Sequence, residues 1–205
     1  MTGASVAERL RGEALNVQFI PKGYDPRVIF PEEVERDIEL GFVGRTASAA
    51  YQERKRLLDR LAAEDSLQLL RTAPGEPYRK MLNRIRFFVS ADVGLDEYMA
   101  KNFEAMACGC VLLAWRQGCE EEAIGLEDGN HLLLYSNIDE LRRHLQKLRR
   151  EPDWAQGIAD SGRLFVEQHL AHPHLAGRLL DELRKPSLPV PFSAWRKLWS
   201  RLSPF

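Results

Sequence analysis

Short apolar runs alternate along this chain with stretches whose apolar residues recur at helical spacing, and few folds accommodate that alternation. Runs at 17–21 (VQFIP), 40–43 (LGFV), 67–70 (LQLL), 85–89 (IRFFV), 111–115 (VLLAW) and 132–135 (LLLY) are too short for helices and are bounded by turn residues. Between them, Tyr51, Leu57, Leu58 and Leu61 recur at near-helical spacing, and a short helix is predicted around 78–83. Phe103, Met106, Ala107 and Cys110 lie at i, i+3, i+4, i+7, with Gly109 as the stop. Three further helices are predicted at about 138–150, 153–168 and 173–184, on the stripes Leu141/Leu145/Leu148, Trp154/Ile158/Phe165 and Leu175/Leu179/Leu183. Buried strands joined by amphipathic helices make βαβ units, hence a parallel sheet covered on both faces. The expected class is α/β, Rossmann-like.

Sheets of this kind bind ligands beyond the carboxyl ends of their strands. Residues just past the predicted strand ends are Gly44-Arg45-Thr46, Arg71-Thr72, Ser90-Ala91-Asp92, Arg116-Gln117 and Ser136-Asn137. Three of these loops carry an arginine, a wall suited to a phosphorylated ligand. The cationic character is local, because the net charge is −1 and nothing global steers the chain to nucleic acid or a membrane. Three cysteines, Cys108, Cys110 and Cys119, without paired spacing argue for a reducing compartment. The N-terminal residues have no apolar signal region, and no apolar run of about 18 residues occurs, so a cytoplasmic location is expected.

Two segments carry chemistry. Gly44-Arg45-Thr46 joins a strand to a helix, where glycine admits a phosphate to the backbone, the helix N-terminus favours an anion, and arginine binds it bidentately. Taken alone it is also readable as a tight turn with an exposed arginine. The second is residues 96–109 (DEYMAKNFEAMACG). Glu104 lies one residue, about 100°, off the buried stripe, so it is either a solvated flank or a ligand for hydroxyls at the crevice. Asp96, eight residues earlier, can share one cleft with it, and sugar hydroxyls are good donors to carboxylates. Other features read as structural. Arg54, Lys55 and Arg56 form a basic run on a solvated helix face, and Cys108 and Cys110 are buried small hydrophobes. His169, His172 and His174 have no other ligand chemistry nearby in sequence, so no metal is expected.

FEAMACGCVLLA resembles the E-x7-E region of GT-B glycosyltransferases of the group-1 type, in the variant that includes the spore-maturation-type enzymes. VQFIPKGYDPRVIFP, ELGFVGRTASAAYQERKRLLDRL, EDGNHLLLYSNIDELRRHLQKL and GIADSGRLFVEQHLAHPHLAGRLL are similar, in order, to the other landmarks of that family's C-terminal half, over about residues 17–182. The resemblance implies a donor-binding domain at 17–184, preceded by a lead-in at 1–16, and a nucleotide-sugar-dependent transferase that needs no metal. Carried over by position, Gly44 and Arg45 lie beside the diphosphate and Lys101 near the phosphates. Tyr98, Met99 and Ala100 form the loop whose amides meet the diphosphate. Glu104 holds the ribose hydroxyls, and Asp96, or equally Glu97, contacts the donor sugar. Here Asp replaces Glu at 96 and Lys replaces Arg at 101.

A complete GT-B enzyme has an N-terminal acceptor half as well, and the 16 residues of lead-in are too few for one. That half is expected from a longer chain or a second subunit. The alternative is a catalytically silent module that binds a nucleotide or a partner protein. Next along the chain come a proline-rich linker at 185–191 and a basic amphipathic helix at 192–205, with Trp195, Leu198, Trp199 and Leu202 at helical spacing. That stripe is expected either to dock on protein or to lie at the inner surface of a membrane.

Overall fold

The computed structural model describes residues 1–13, 15–45 and 52–185. The stretch 192–205, with its expected docking or membrane contact, lies outside the described residues, as does Thr46. The elements run α1 (Ala4–Gly12), β1 (Ile38–Val43), α2 (Gln52–Glu64), β2 (Gln68–Leu70), α3 (Glu76–Arg84), β3 (Ile85–Ser90), α4 (Ala100–Ala107), β4 (Val111–Trp115), α5 (Cys119–Ile124), β5 (Leu133–Tyr135), α6 (Ile138–Arg150), α7 (Pro152–His169) and α8 (His172–Arg184). The five strands are parallel in the order β2-β1-β3-β4-β5, with Leu40 beside Phe87, Phe87 beside Val111, and Leu113 beside Leu133.

Successive side chains of a strand point to opposite faces, and here both faces are dry. Phe87 and Val89 join the layer of Leu58, Leu61, Leu141 and Leu145 under α2 and α6. Phe88 joins the layer of Phe103, Met106 and Val166 under α4 and α7. This explains why the central strands read as continuous apolar runs. No helix of the described residues is long and apolar enough to cross a membrane.

Three expectations meet a different outcome. The run 17–21 is no strand: the Ile20 amide donates to the Met1 carbonyl, and Pro21 has no amide to offer a ladder. Cys110 lies beyond α4. The Gly109 amide donates to Met106 O (2.8 Å) and the Cys110 amide to Ala105 O (3.0 Å), a Schellman stop closed by Gly109 at φ +78°. Cys110 stays buried, in the connection just before β4. Arg54 is 4% exposed rather than solvated, whereas its neighbours Lys55 and Arg56 do face solvent. Helices α1 and α5, absent from the sequence reading, pack on each other, and the Ala4 amide at the start of α1 donates to Glu120 Oε2 (2.7 Å).

Helix α7 carries two glycines in opposite environments. A Cβ at Gly162 would stand 2.4 Å from the His131 carbonyl oxygen, whereas one at Gly157 would meet nothing within 4 Å. Helix propensity favours alanine at both. Gly157→Ala is expected to stabilise the fold by about 0.4–1 kcal/mol. Gly162→Ala is expected to destabilise it by about 1–3 kcal/mol, since α7 must move off the loop before β5. Urea midpoints for the two variants check both signs.

Candidate functional site

The chain leaves β1 toward β2 on one side and returns from β2 to β3 on the other, so the connections diverge between the carboxyl ends of β1 and β3. A cavity of about 740 Å³ opens there. Its wall includes Gly44 and Arg45 after β1, Arg71 and Thr72 after β2, Tyr78 on α3, Glu104 on α4 and His172 on α8. A second cavity, about 640 Å³ between α1, α5 and α8, lies away from these strand ends.

Gly44 has φ +153°, and a Cβ there would lie 3.2 Å from Phe42 Cζ and 3.3 Å from Lys101 Nζ. Glycine is what lets Lys101 come against the backbone at the end of β1. The ammonium stands 4.3 Å from the centre of the Phe42 ring. Burial, and then the charge of Arg54, pull the Lys101 pKa down to about 8, against the attraction of Asp92 and Glu104. Glu104, half-buried, accepts a hydrogen bond from the Tyr78 hydroxyl (2.7 Å) on Oε2. Burial holds its carboxyl above the ordinary range, and Tyr78, His172 and Lys101 oppose that rise.

The loop into α4 is fixed from beneath by Asp92, which has no solvent exposure. Its carboxylate accepts from Arg54 (2.5 Å), the Ser90 hydroxyl (3.1 Å), the Met99 amide (3.2 Å) and Asn102 Nδ2 (2.8 Å). Gln117 Nε2 donates to its backbone carbonyl. Asp92 was visible in sequence only as a residue past a strand end. That it binds residues 38 positions before and 10 after it has no local signal.

The candidate residues therefore fall into two groups. Gly44, Arg45 and Glu104 line the cavity, and Lys101 adjoins it through Gly44. The others are engaged elsewhere or exposed. Glu97 is paired with Lys22 (2.8 Å) and accepts from the Thr2 hydroxyl. The Tyr98 hydroxyl is buried and donates to Glu121 Oε1 (2.7 Å). The Met99 amide is taken by Asp92, and Met99 Sδ faces Lys22. Asp96 is exposed at φ +53°, and Ala100 opens the first turn of α4, where amides have no intrahelical acceptor. Tyr78, which no sequence pattern singled out, and His172, noted in sequence only as one of a group of histidines, belong to the cavity wall.

A parallel sheet of this order covered by helices on both faces is the architecture of a GT-B glycosyltransferase domain. The chain belongs to the glycosyl transferase-like family, whose pattern matches residues 32–181. No curated protein sequence matches it. Among solved structures it is similar to sucrose-phosphate synthase of Thermosynechococcus elongatus, at 16% identity and TM-score 0.64, over 89% of this chain and 57% of that one. HepE of Anabaena, solved with UDP, matches at 13% identity and TM-score 0.64, over 81% and 57%. The C-terminal domain of a group 1 glycosyl transferase from Francisella tularensis matches at 14% identity and TM-score 0.53, over 73% of this chain and all of that one. The chain thus spans little more than half of the first two relatives.

Four donors depend on the Asp92 carboxylate, one of them a guanidinium buried with it. Asp92→Ala is expected to cost about 3–5 kcal/mol of stability, the range for breaking a buried pair from one side. Denaturant unfolding measures it, and hydrogen exchange should show the first turn of α4 losing protection first.

Proposed function

We propose that this chain is the donor-binding half of a glycosyltransferase that moves a sugar from a nucleotide sugar to an acceptor held by another domain or subunit. The observation that carries the reading is Glu104, a half-buried carboxylate in one cavity with Gly44 and Arg45 and next to Lys101. The relatives support it in kind: HepE was solved with UDP and with UDP-glucose, and a pneumococcal O-GlcNAc transferase with UDP and GlcNAc. The match to an isolated C-terminal domain supports the half-enzyme reading.

In this mechanism Glu104 accepts the ribose hydroxyls, and Arg45, Lys101 and the first amides of α4 take the charge of the leaving nucleoside diphosphate. Those groups supply the stabilisation, so the reading calls for no metal. Asp96 is the carboxylate left to orient the sugar, because Glu97 is held by Lys22. That same engagement of Glu97, Tyr98 and Met99 favours a second reading, a module that binds the nucleotide without transferring its sugar. Transfer assays with the companion half present separate the two.

Calorimetry with UDP and GDP tests the binding step. Glu104→Gln keeps the shape and the Tyr78 contact, and is expected to weaken binding by about 1.5–3 kcal/mol without lowering the thermal midpoint. Lys101 is expected to give a pH dependence. Binding a diphosphate favours the charged amine, which the free protein loses as pH rises through about 8. Affinity should therefore fall as pH rises through 8, to about a tenth of its low-pH value by pH 9, and Lys101→Met should abolish the dependence. A flat profile from pH 7 to 9.5 in the unmodified protein would remove Lys101 from the phosphates.

A further inference from the structure

We infer that Tyr78 is a positioning residue for the candidate donor site: its hydroxyl, donating to Glu104 Oε2, fixes the rotamer of that carboxylate. The inference rests on the reading of Glu104 as the ribose-binding group and adds a residue to it.

Tyr78 lies in the first half of α3, on the helix that crosses from β2 to β3, and α3 packs on α4. Its hydroxyl donates to Glu104 Oε2 at 2.7 Å, and both residues line the same cavity. A hydroxyl at that distance from a carboxylate makes a charge-assisted bond. Three titratable groups act on Glu104. On α3, Tyr78 donates its proton. On α8, His172 faces it across the cavity, and on α4, Lys101 lies one turn before it; both lower its pKa. Cys108, at the end of α4, is influenced by the Glu104 charge, and burial keeps its thiol neutral well above the ordinary range. Only Tyr78 among them makes a hydrogen bond to the carboxylate. Burial also drives the Tyr78 phenol far above its ordinary range, so at working pH it is always the donor.

The bond has two consequences. It occupies one lone pair of Oε2, which leaves Oε1 and the remaining lone pair for a ligand's hydroxyls. It also opposes the burial that raises the Glu104 pKa, and so extends to lower pH the range in which Glu104 can accept. Tyr78 touches no part of the proposed ligand in this scheme. It acts through Glu104.

The test uses Tyr78→Phe, which deletes one oxygen and leaves the ring in place. With no ligand present, the Glu104 side-chain carboxyl is titrated by carbon-detected NMR in the full chain. Glu104 is expected to titrate at higher pH in Tyr78→Phe than in the unmodified protein. An unchanged titration overturns the inference, whatever the protein binds. Binding of UDP is then compared on two backgrounds. Tyr78→Phe is expected to weaken UDP about 3- to 10-fold at pH 7, the fold-change of one ordinary hydrogen bond. The loss should grow as pH falls, because affinity drops where Glu104 takes up a proton. On a Glu104→Ala background, where the hydroxyl has no side chain to hold, the same change is expected to have little effect. A purely structural tyrosine would weaken binding equally on both backgrounds, and that result overturns the positioning role. If the unmodified protein binds neither UDP nor GDP while the Glu104 titration still shifts, the donor reading fails and the Tyr78–Glu104 coupling stands.

Discussion

The buried carboxylate of Asp92 is the point on which the functional end of this sheet depends. It sits just past β3, the strand flanked by β1 and β4, and gathers Arg54 from α2, Ser90 from β3, and Met99 and Asn102 from the start of α4. A carboxylate without solvent exposure persists only when its lone pairs are taken, and here four donors take them. The result is mechanical. The first turn of α4 is fastened to the end of β3, and Glu104, on the following turn, inherits its place from that fastening. The Tyr135 hydroxyl adds a bond to the Ser90 carbonyl and draws β5 into the same cluster.

The fold was legible in the sequence wherever burial was total. Val111–Trp115 and residues 87–89 are apolar on both faces because helices cover both, and that leaves a continuous run no other element needs. Legibility failed where an element earns its place through a few long-range bonds. Helix α1 is short and mostly polar, and it is held by Ala7 against its neighbours and by one amide to Glu120, 116 residues away. Arg54 sits between charged neighbours that do face water, so local composition argued for solvent. The carbonyl of Ala91 and the carboxylate of Asp92, which draw it inward, are 37 and 38 residues distant.

The site divides the same way. Glu104 was readable because its offset from the buried stripe of α4 is a property of helix geometry, and Gly44 because a glycine between strand and helix marks a close approach. Tyr78 and His172 were not, since each reaches the cavity through the packing of its helix rather than through any spacing. The segment expected to meet the donor shows the converse. Asp96, Glu97, Tyr98 and Met99 are adjacent in sequence, yet they part company: one exposed, one paired with Lys22, one turned into the core, one bound through its amide to Asp92.

The balance between burial and partner charges falls in opposite directions for a carboxylate paired at the surface and for the charges beside the cavity. Arg142 is held by Glu64 and Asp65 at the surface, and Glu64 titrates below its ordinary range because its partners outweigh desolvation. Glu104 and Lys101 go the other way. Each is displaced toward its neutral form by burial, although each feels the other's favourable charge. A carboxylate short of donors beside an ammonium short of an anion leaves a gap that the protein's own groups do not fill. On the proposed reading, a ligand bearing vicinal hydroxyls and a diphosphate would supply the donors that Glu104 lacks and the anion that Lys101 lacks.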